Sequence, residues 1–406
     1  MNEISSKNPV FIHSLWRGAS TYFFATFRRC EGVFAYQEPL HELVLAAAGQ
    51  PELLVGTVSS DGSGLRHPNM DFGYFHELAL THSAWKDTIA KDLIYDRYFV
   101  VEPDLRLAAF FQSLIGAAPR RPVIQECRCA LRIGGLKEAL GGTHLSLVRN
   151  PRDQWLSCKI NLYFDAVIQL LQQGQQVPRS LRRLWEKNRI IECNSDEIAD
   201  EIRHFMRWPL KAEDSYRAFF TIWCMVLRHA RKYADLVIFV DYINKIDGKC
   251  EEVERQIAEV GAGEVSLRDC DLFMSQLPEG VANWFHIIER DVFNDLAIDG
   301  FEDCEIRDAV ATVNALEDLR LEVLVRDPER SLRESLDRTQ RMVLDLLDHR
   351  QQMAAMHRDD AWAKLQQTID NGNSQNQEFK HLMVEIDIEI DAIAELVGAV
   401  NIERAS

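Results

Sequence analysis

The sequence predicts an α/β protein: a three-layer αβα unit around a mainly parallel central sheet, followed by a C-terminal α-helical hairpin or coiled coil. Three observations lead there. Short apolar-rich runs, such as Val10-Phe11-Ile12 and Leu236-Val237-Ile238-Phe239, read as strands buried on both faces. Each is followed by a longer stretch of helical periodicity, the alternation that a covered parallel sheet requires. Past about residue 300 the strand signals stop and heptad spacing takes over.

In chain order, Val10–Ile12 is the first strand, His13–Ala19 a polar turn, and Ser20-Thr21 opens a helix from Tyr22 to Phe27. Phe34–Tyr36 is a strand that runs out into Gln37-Glu38-Pro39, and Glu42–Ala48 is helical. Ser59–Gly64 has the Ser, Asp and Gly content of a loop. Helical material from Phe75 to Ile94, a strand at Tyr98–Val101 and a helix at Asp104–Leu114 follow. Pro122–Glu126 is a strand, and Arg132–Leu140 a helix ended by Gly141-Gly142. His144–Val148 is a strand running into Arg149-Asn150-Pro151-Arg152-Asp153, where Asn150 suits a cap and Pro151 the first helical position. Helices are expected at Gln154–Gln173, Leu181–Asn188, Ser195–Met206 and Ser215–Tyr233, the last strand at Leu236–Tyr242, and a helix at Glu251–Val260.

Beyond these, the helix Ile306–Val325 is broken by Asp327-Pro328. Leu332, Leu336, Val343 and Leu346, and then Phe379, Met383, Ile386, Ile390, Ile393, Val397 and Val400, follow heptad spacing on either side of the turn Asn371–Ser374. The expected division is an α/β domain over 8–300 and a helical extension over 301–406. The extension invites a homo-oligomer or a partner protein.

The net charge of -17 disfavours nucleic acid or an acidic membrane surface as a bulk partner, so no nucleic-acid partner is expected. An anionic ligand then needs a local cluster of cations. No apolar run approaches the roughly 18–20 residues of a transmembrane segment, and no signal-peptide core precedes Val10, so the expectation is a cytoplasmic protein. Nine scattered cysteines without C-x-x-C pairs read as free thiols. Cys127-Arg128-Cys129 is the only close pair and reads as structural, so no metal is expected.

Two stretches have the chemistry of phosphate binding. Arg17-Gly18-Ala19-Ser20-Thr21 joins a strand to a helix start, where unpaired N–H groups and the helix dipole favour an anion. The pattern G-x-x-x-x-G-K-[ST] is absent, and Arg17 stands where an NTPase uses Lys. Arg149 ends a later strand, and Ser157 lies two turns into the helix that follows. Either stretch alone also reads as an ordinary βα turn or a well-capped helix. Converging on one phosphate, an Arg and a hydroxyl would each add a charge-assisted hydrogen bond of roughly 1.5–3 kcal/mol.

Together and in this order, Arg17, Ser20 and Thr21, then Arg149-Asn150-Pro151-Arg152-Asp153 with Ser157, resemble the sulfotransferases that use 3′-phosphoadenosine-5′-phosphosulfate (PAPS). The resemblance covers roughly residues 9–250. It implies a P-loop-like αβα fold and PAPS as sulfuryl donor, with no metal. It also implies that Arg17, Gly18, Ala19, Ser20 and Thr21 hold the 5′-phosphosulfate, while Arg149 and Ser157 hold the 3′-phosphate. Glu38 stands where several subfamilies carry the general base, with His41, Glu42, His76 and Glu77 as competitors. Arg17 would stabilise charge on the leaving oxygen. Gly18-Ala19 replace the usual Ser-Gly, and Gln125 stands where many members have Lys, leaving Arg128 as a nearby cation. His13 reads as a packed histidine near the cofactor loop. Trp155, Trp208 and Trp223 read as packing residues, and Val240-Asp241-Tyr242 as a structural strand end. The resemblance implies an acceptor hydroxyl on a small molecule, a saccharide or a glycolipid. Two other readings stay open. One is a P-loop-like kinase or nucleotide-binding protein, for which Asp241 is the only candidate magnesium ligand. The other is a catalytically inactive, sulfotransferase-like interaction module.

Overall fold

The computed structural model describes residues 8–55, 73–159, 162–270, 272, 274–275 and 277–326. The chain divides into two units between Thr339 and Gln340. The second unit, the loop at 59–64 and both heptad segments lie outside the described residues.

Five strands, β1 (Val10–Ser14), β2 (Val33–Gln37), β3 (Arg121–Glu126), β4 (Thr143–Val148) and β5 (Leu236–Phe239), form one all-parallel sheet in the order β2-β3-β1-β4-β5. Side chains alternate across each strand, so the sheet feeds two cores. Val10, Ile12, Val123 and Leu145 join Phe23, Phe24 and Phe27 of the helix Ser20–Arg28 on one face. Phe11, Tyr36, Ile124 and Val148 join the helices Leu105–Ala117, Ile133–Leu140 and Ala212–Tyr233 on the other.

β1 is central and its chain leaves toward β2, whereas the chain leaving β4 moves the opposite way to β5. The carboxyl ends of β1 and β4 therefore flank the point where the winding reverses, which is where open α/β sheets leave a crevice for a ligand. Arg17 follows β1 and Arg149 follows β4.

Several elements differ from expectation. β1 extends through His13 and Ser14, so His13 lies in the sheet and not in the loop. Tyr98–Val101 forms no strand: Tyr98, Phe99 and Val100 are buried as a turn, with Tyr98 stacked on Trp16 at 6.0 Å. Its apolar character serves packing, not pairing. Gln154–Gln173 is two helices, Pro151–Cys158 and Tyr163–Gln172, and the stretch from Phe75 breaks into His76–Leu80 and His82–Trp85. Trp155 and Trp223 are buried between elements as expected, but Trp208 is 64% exposed. An additional helix at Glu279–Asp295, beyond those expected from the sequence, buries Phe285, Ile288 and Val292 at helical spacing.

The helix Asp303–Arg326 belongs to the first unit. Arg152 donates to Glu289 (2.7 and 2.8 Å) and to Glu317 (2.7 Å), tying the helix that follows β4 to both later helices. Arg320 donates to Ser275 O at 2.8 Å and to Glu317.

Candidate functional site

The loop after β1 turns through backbone that few side chains adopt. Arg17 and Ala19 have φ of 65° and 67°, in the left-handed region. For a residue with a Cβ that conformation costs on the order of 1–2 kcal/mol. Ala19 thus holds a conformation that glycine would adopt without that cost. Gly18 is needed for a different reason: a Cβ there would lie 3.2 Å from Gln154 Nε2, 3.0 Å from Leu15 O and against Ser14 Oγ. The turn delivers Ser20 at the start of its helix, where no side chain caps the first N–H groups.

Arg149 donates from Nη1 to Arg17 O at 3.0 Å, joining the ends of β4 and β1. Arg17 Nε donates to Ser157 Oγ at 3.0 Å. The two stretches singled out in the sequence are therefore one centre, with Arg17 in contact with both Arg149 and Ser157. Arg17 has no carboxylate within ion-pair distance among the described residues. Burial lowers its pKa and the Arg149 charge adds to this, against opposing contributions from Cys158, Tyr74 and Glu38. Ser20 turns its hydroxyl toward Cys127 Sγ at 3.6 Å, and Thr21 is half-buried beside it.

The rest of that loop motif builds structure. Asn150 Oδ1 accepts from the N–H groups of Arg152 (3.0 Å) and Asp153 (3.3 Å), the expected cap. Asp153 Oδ1 accepts from Ser275 N at 2.7 Å.

Glu38 ends β2 with φ 39°, so three of the six described non-glycine residues at positive φ sit at this edge of the sheet. Its Oε2 accepts from Arg128 Nη1 at 2.8 Å and its Oε1 from Tyr74 Oη at 2.9 Å. Gln37 Nε2 donates to Tyr74 Oη at 2.7 Å. Burial pushes the Glu38 carboxyl up, but Arg128 and His41 outweigh it and hold it below its ordinary value. Arg128 is fully buried and also donates to Glu42 Oε2 (3.0 Å), Tyr95 Oη (3.1 Å) and Tyr163 Oη (3.0 Å). It holds Glu38 and Glu42 and does not face the crevice as a free cation. A sequence cannot show this, because Tyr95 and Tyr163 arrive from distant segments.

The competing bases are similarly engaged. Glu42 sits at about 2, with burial opposed by His41 and Arg128. Glu77 pairs with Arg28 at 2.7 Å, and His41 Nδ1 accepts from Leu43 N at 3.1 Å as a helix cap. Gln125 is buried, with Nε2 on Cys127 Sγ at 3.3 Å and Oε1 without a hydrogen-bond partner. His13 stacks on His144 with its Nε2 at 2.9 Å from His144 Nδ1.

Chemically, the crevice offers two guanidinium groups, one hydroxyl and an uncapped helix start, a donor set for an anion with more than one charged group. A carboxylate held ionised lies beside it. No family model, no curated protein and no solved structure matches the chain.

Proposed function

We propose that the protein is a PAPS-dependent sulfotransferase, with the crevice between β1 and β4 as its donor site. The observation that carries this reading is the half-buried Arg17 guanidinium, hydrogen-bonded to Ser157 and without a carboxylate partner among the described residues. A cation left uncompensated in a closed environment is costly, and an anionic ligand supplies what is missing. The donor set fits: Arg149 and Ser157 suit the 3′-phosphate, and Arg17 with the Ser20-Thr21 helix start suits the phosphosulfate. The bound donor would supply an electrophilic sulfur and a phosphate leaving group.

Arg17 then places fixed positive charge where the leaving oxygen becomes negative. Glu38, ionised at neutral pH, accepts the acceptor hydroxyl's proton as that oxygen attacks. Tyr74 orients it. Because Arg128 and Tyr74 already occupy both oxygens of Glu38, a donor-binding module without turnover is the second reading.

Adenosine 3′,5′-bisphosphate is expected to raise the melting temperature well beyond any shift from ATP with magnesium, and Arg149→Ala to remove that shift. A larger shift from ATP with magnesium would replace this reading with the kinase one. Glu38→Gln should keep bisphosphate binding while losing PAPS turnover across a panel of hydroxyl acceptors. Turnover like that of the parent protein would move the base elsewhere, and none in either protein favours the binding module.

A further inference from the structure

Asp241 follows β5, at the same carboxyl edge of the sheet as Arg17 and Arg149. It is fully buried. Its Oδ2 accepts from Asn150 N at 2.6 Å, the residue next to Arg149. Its Oδ1 has no hydrogen-bond partner and lies 3.9 Å from Arg149 Nε. One oxygen therefore fixes the backbone that carries Arg149, and the other faces the Arg149 guanidinium across a gap too long for a hydrogen bond.

We infer that Asp241 is the proton-linked counter-ion of the anion site, so that an anion held by Arg17 and Arg149 binds more tightly once Asp241 is protonated. The inference rests on the anion-site reading of the Arg17–Arg149–Ser157 centre, and it adds regulation by pH to it.

The charge arithmetic is direct. With Asp241 ionised, the two arginines and this carboxylate sum to one positive charge; with it protonated, to two. An incoming anion meets a carboxylate buried beside the arginine it needs, and low surrounding polarity strengthens that repulsion. Taking up one proton removes it. Around Asp241, the charged groups are Arg149 from the end of β4 and Asp153 from the helix Pro151–Cys158. Tyr242 adjoins it on its own turn, and Asp318 of the helix Asp303–Arg326 acts on Tyr242. Glu317 of that helix is bonded to Asn150 Nδ2 at 2.7 Å. Burial raises the Asp241 carboxyl to about 7, with Arg149 opposing and Asp153 reinforcing. The exchange therefore falls near neutral pH.

The sign follows from linkage. If the bound state takes up a proton that the free state lacks, affinity falls as pH rises through the free-state value, by at most tenfold per pH unit for one proton. Inorganic sulfate is the suitable probe, because its own charge is constant across this range, unlike that of a phosphate. Sulfate binding to the full chain, measured by titration calorimetry at constant ionic strength, should weaken about tenfold between pH 6 and pH 8. Repeating the pH 7 titration in two buffers of different ionisation enthalpy should show net proton uptake on binding. Asp241→Asn, which keeps an acceptor for Asn150 N, should abolish both the uptake and most of the pH dependence, and bind sulfate at pH 8 as the parent protein does at pH 6. Sulfate binding that is lost in Arg17→Ala but shows no proton uptake in the parent protein overturns the role of Asp241 and leaves the anion site standing. No sulfate binding at any of these pH values, or binding unchanged in Arg17→Ala, overturns the anion site itself. The uptake measurement on the parent protein decides the matter even if Asp241→Asn does not fold.

Discussion

Ala19 shows how far a single residue can depart from its preferred backbone when its surroundings demand it. Its φ of 67° is held by Phe23 N–H, which donates to Ala19 O at 3.1 Å, and by the burial of the helix it starts. Gly18 carries the stricter requirement. Gly18→Ala is expected to cost about 1–3 kcal/mol, since the added methyl meets backbone and two packed side chains. It should also displace Arg17 and weaken anion binding; urea unfolding and sulfate titration would check the two effects separately. Arg128 is the other position of high consequence. Replacing it with Met would leave Glu38, Glu42 and Glu126 buried beside one another, with an expected loss of about 3–5 kcal/mol in urea unfolding at pH 7.

At the scale of elements, β1 and β4 are joined by a polar link as well as by their ladder. His144 Nε2 donates to Gly141 O at 3.0 Å, so His144 Nδ1 accepts from His13 Nε2–H at 2.9 Å. A proton taken up by this pair would sit on the buried His13 Nδ1, which has no hydrogen-bond partner. Burial lowers both, His144 to about 4, and the His144 charge would lower His13 further. In the unfolded chain both titrate near 6.5, so the unfolded state binds more protons below that value and stability falls as pH drops toward 4. For His144 alone the loss reaches on the order of 3 kcal/mol at pH 4. Denaturant unfolding from pH 7 to pH 4.5 should show the decline, and a double variant with His13→Leu and His144→Leu should flatten that part of it.

The chain carries a net charge of -17, yet Arg17 and Arg149 meet beside one another at the carboxyl edge of the sheet. A ligand that binds the folded state alone stabilises by about 2.7 kcal/mol at a hundred times its dissociation constant. With the unfolding entropy usual for a chain of this size, that corresponds to a melting-temperature rise of about 3 °C for adenosine 3′,5′-bisphosphate at that concentration. Arg152 is engaged in holding layers together. Its pairs with Glu289 and Glu317 join the α/β layers to the helices that follow residue 278. No described helix is long and apolar enough to cross a membrane.

Much of the fold was legible because it is local. Apolar runs of strand length, the Asn150-Pro151 helix entry and the Gly141-Gly142 stop depend on residues within a few positions of one another, and all three carry over into the structure, Tyr98–Val101 apart. The identity of Arg17, Arg149 and Ser157 as site candidates was legible for the same reason, through spacing at strand ends. Tyr98–Val101 misled because burial and strand pairing leave the same apolar signature, and only neighbours such as Trp16 distinguish them. The meaning of each charge was set by residues far apart in the chain. Arg128 is consumed by Glu38, Glu42 and two tyrosines, Arg152 by Glu289 and Glu317, and Asp241 lies against Arg149, whereas Arg17 meets no carboxylate among the described residues. Local sequence determines which elements form, because propensity and capping act over a few residues. Which cations remain for a ligand depends on distance and burial in three dimensions, since the strength of a charge pair is governed by separation and surrounding polarity and not by position along the chain.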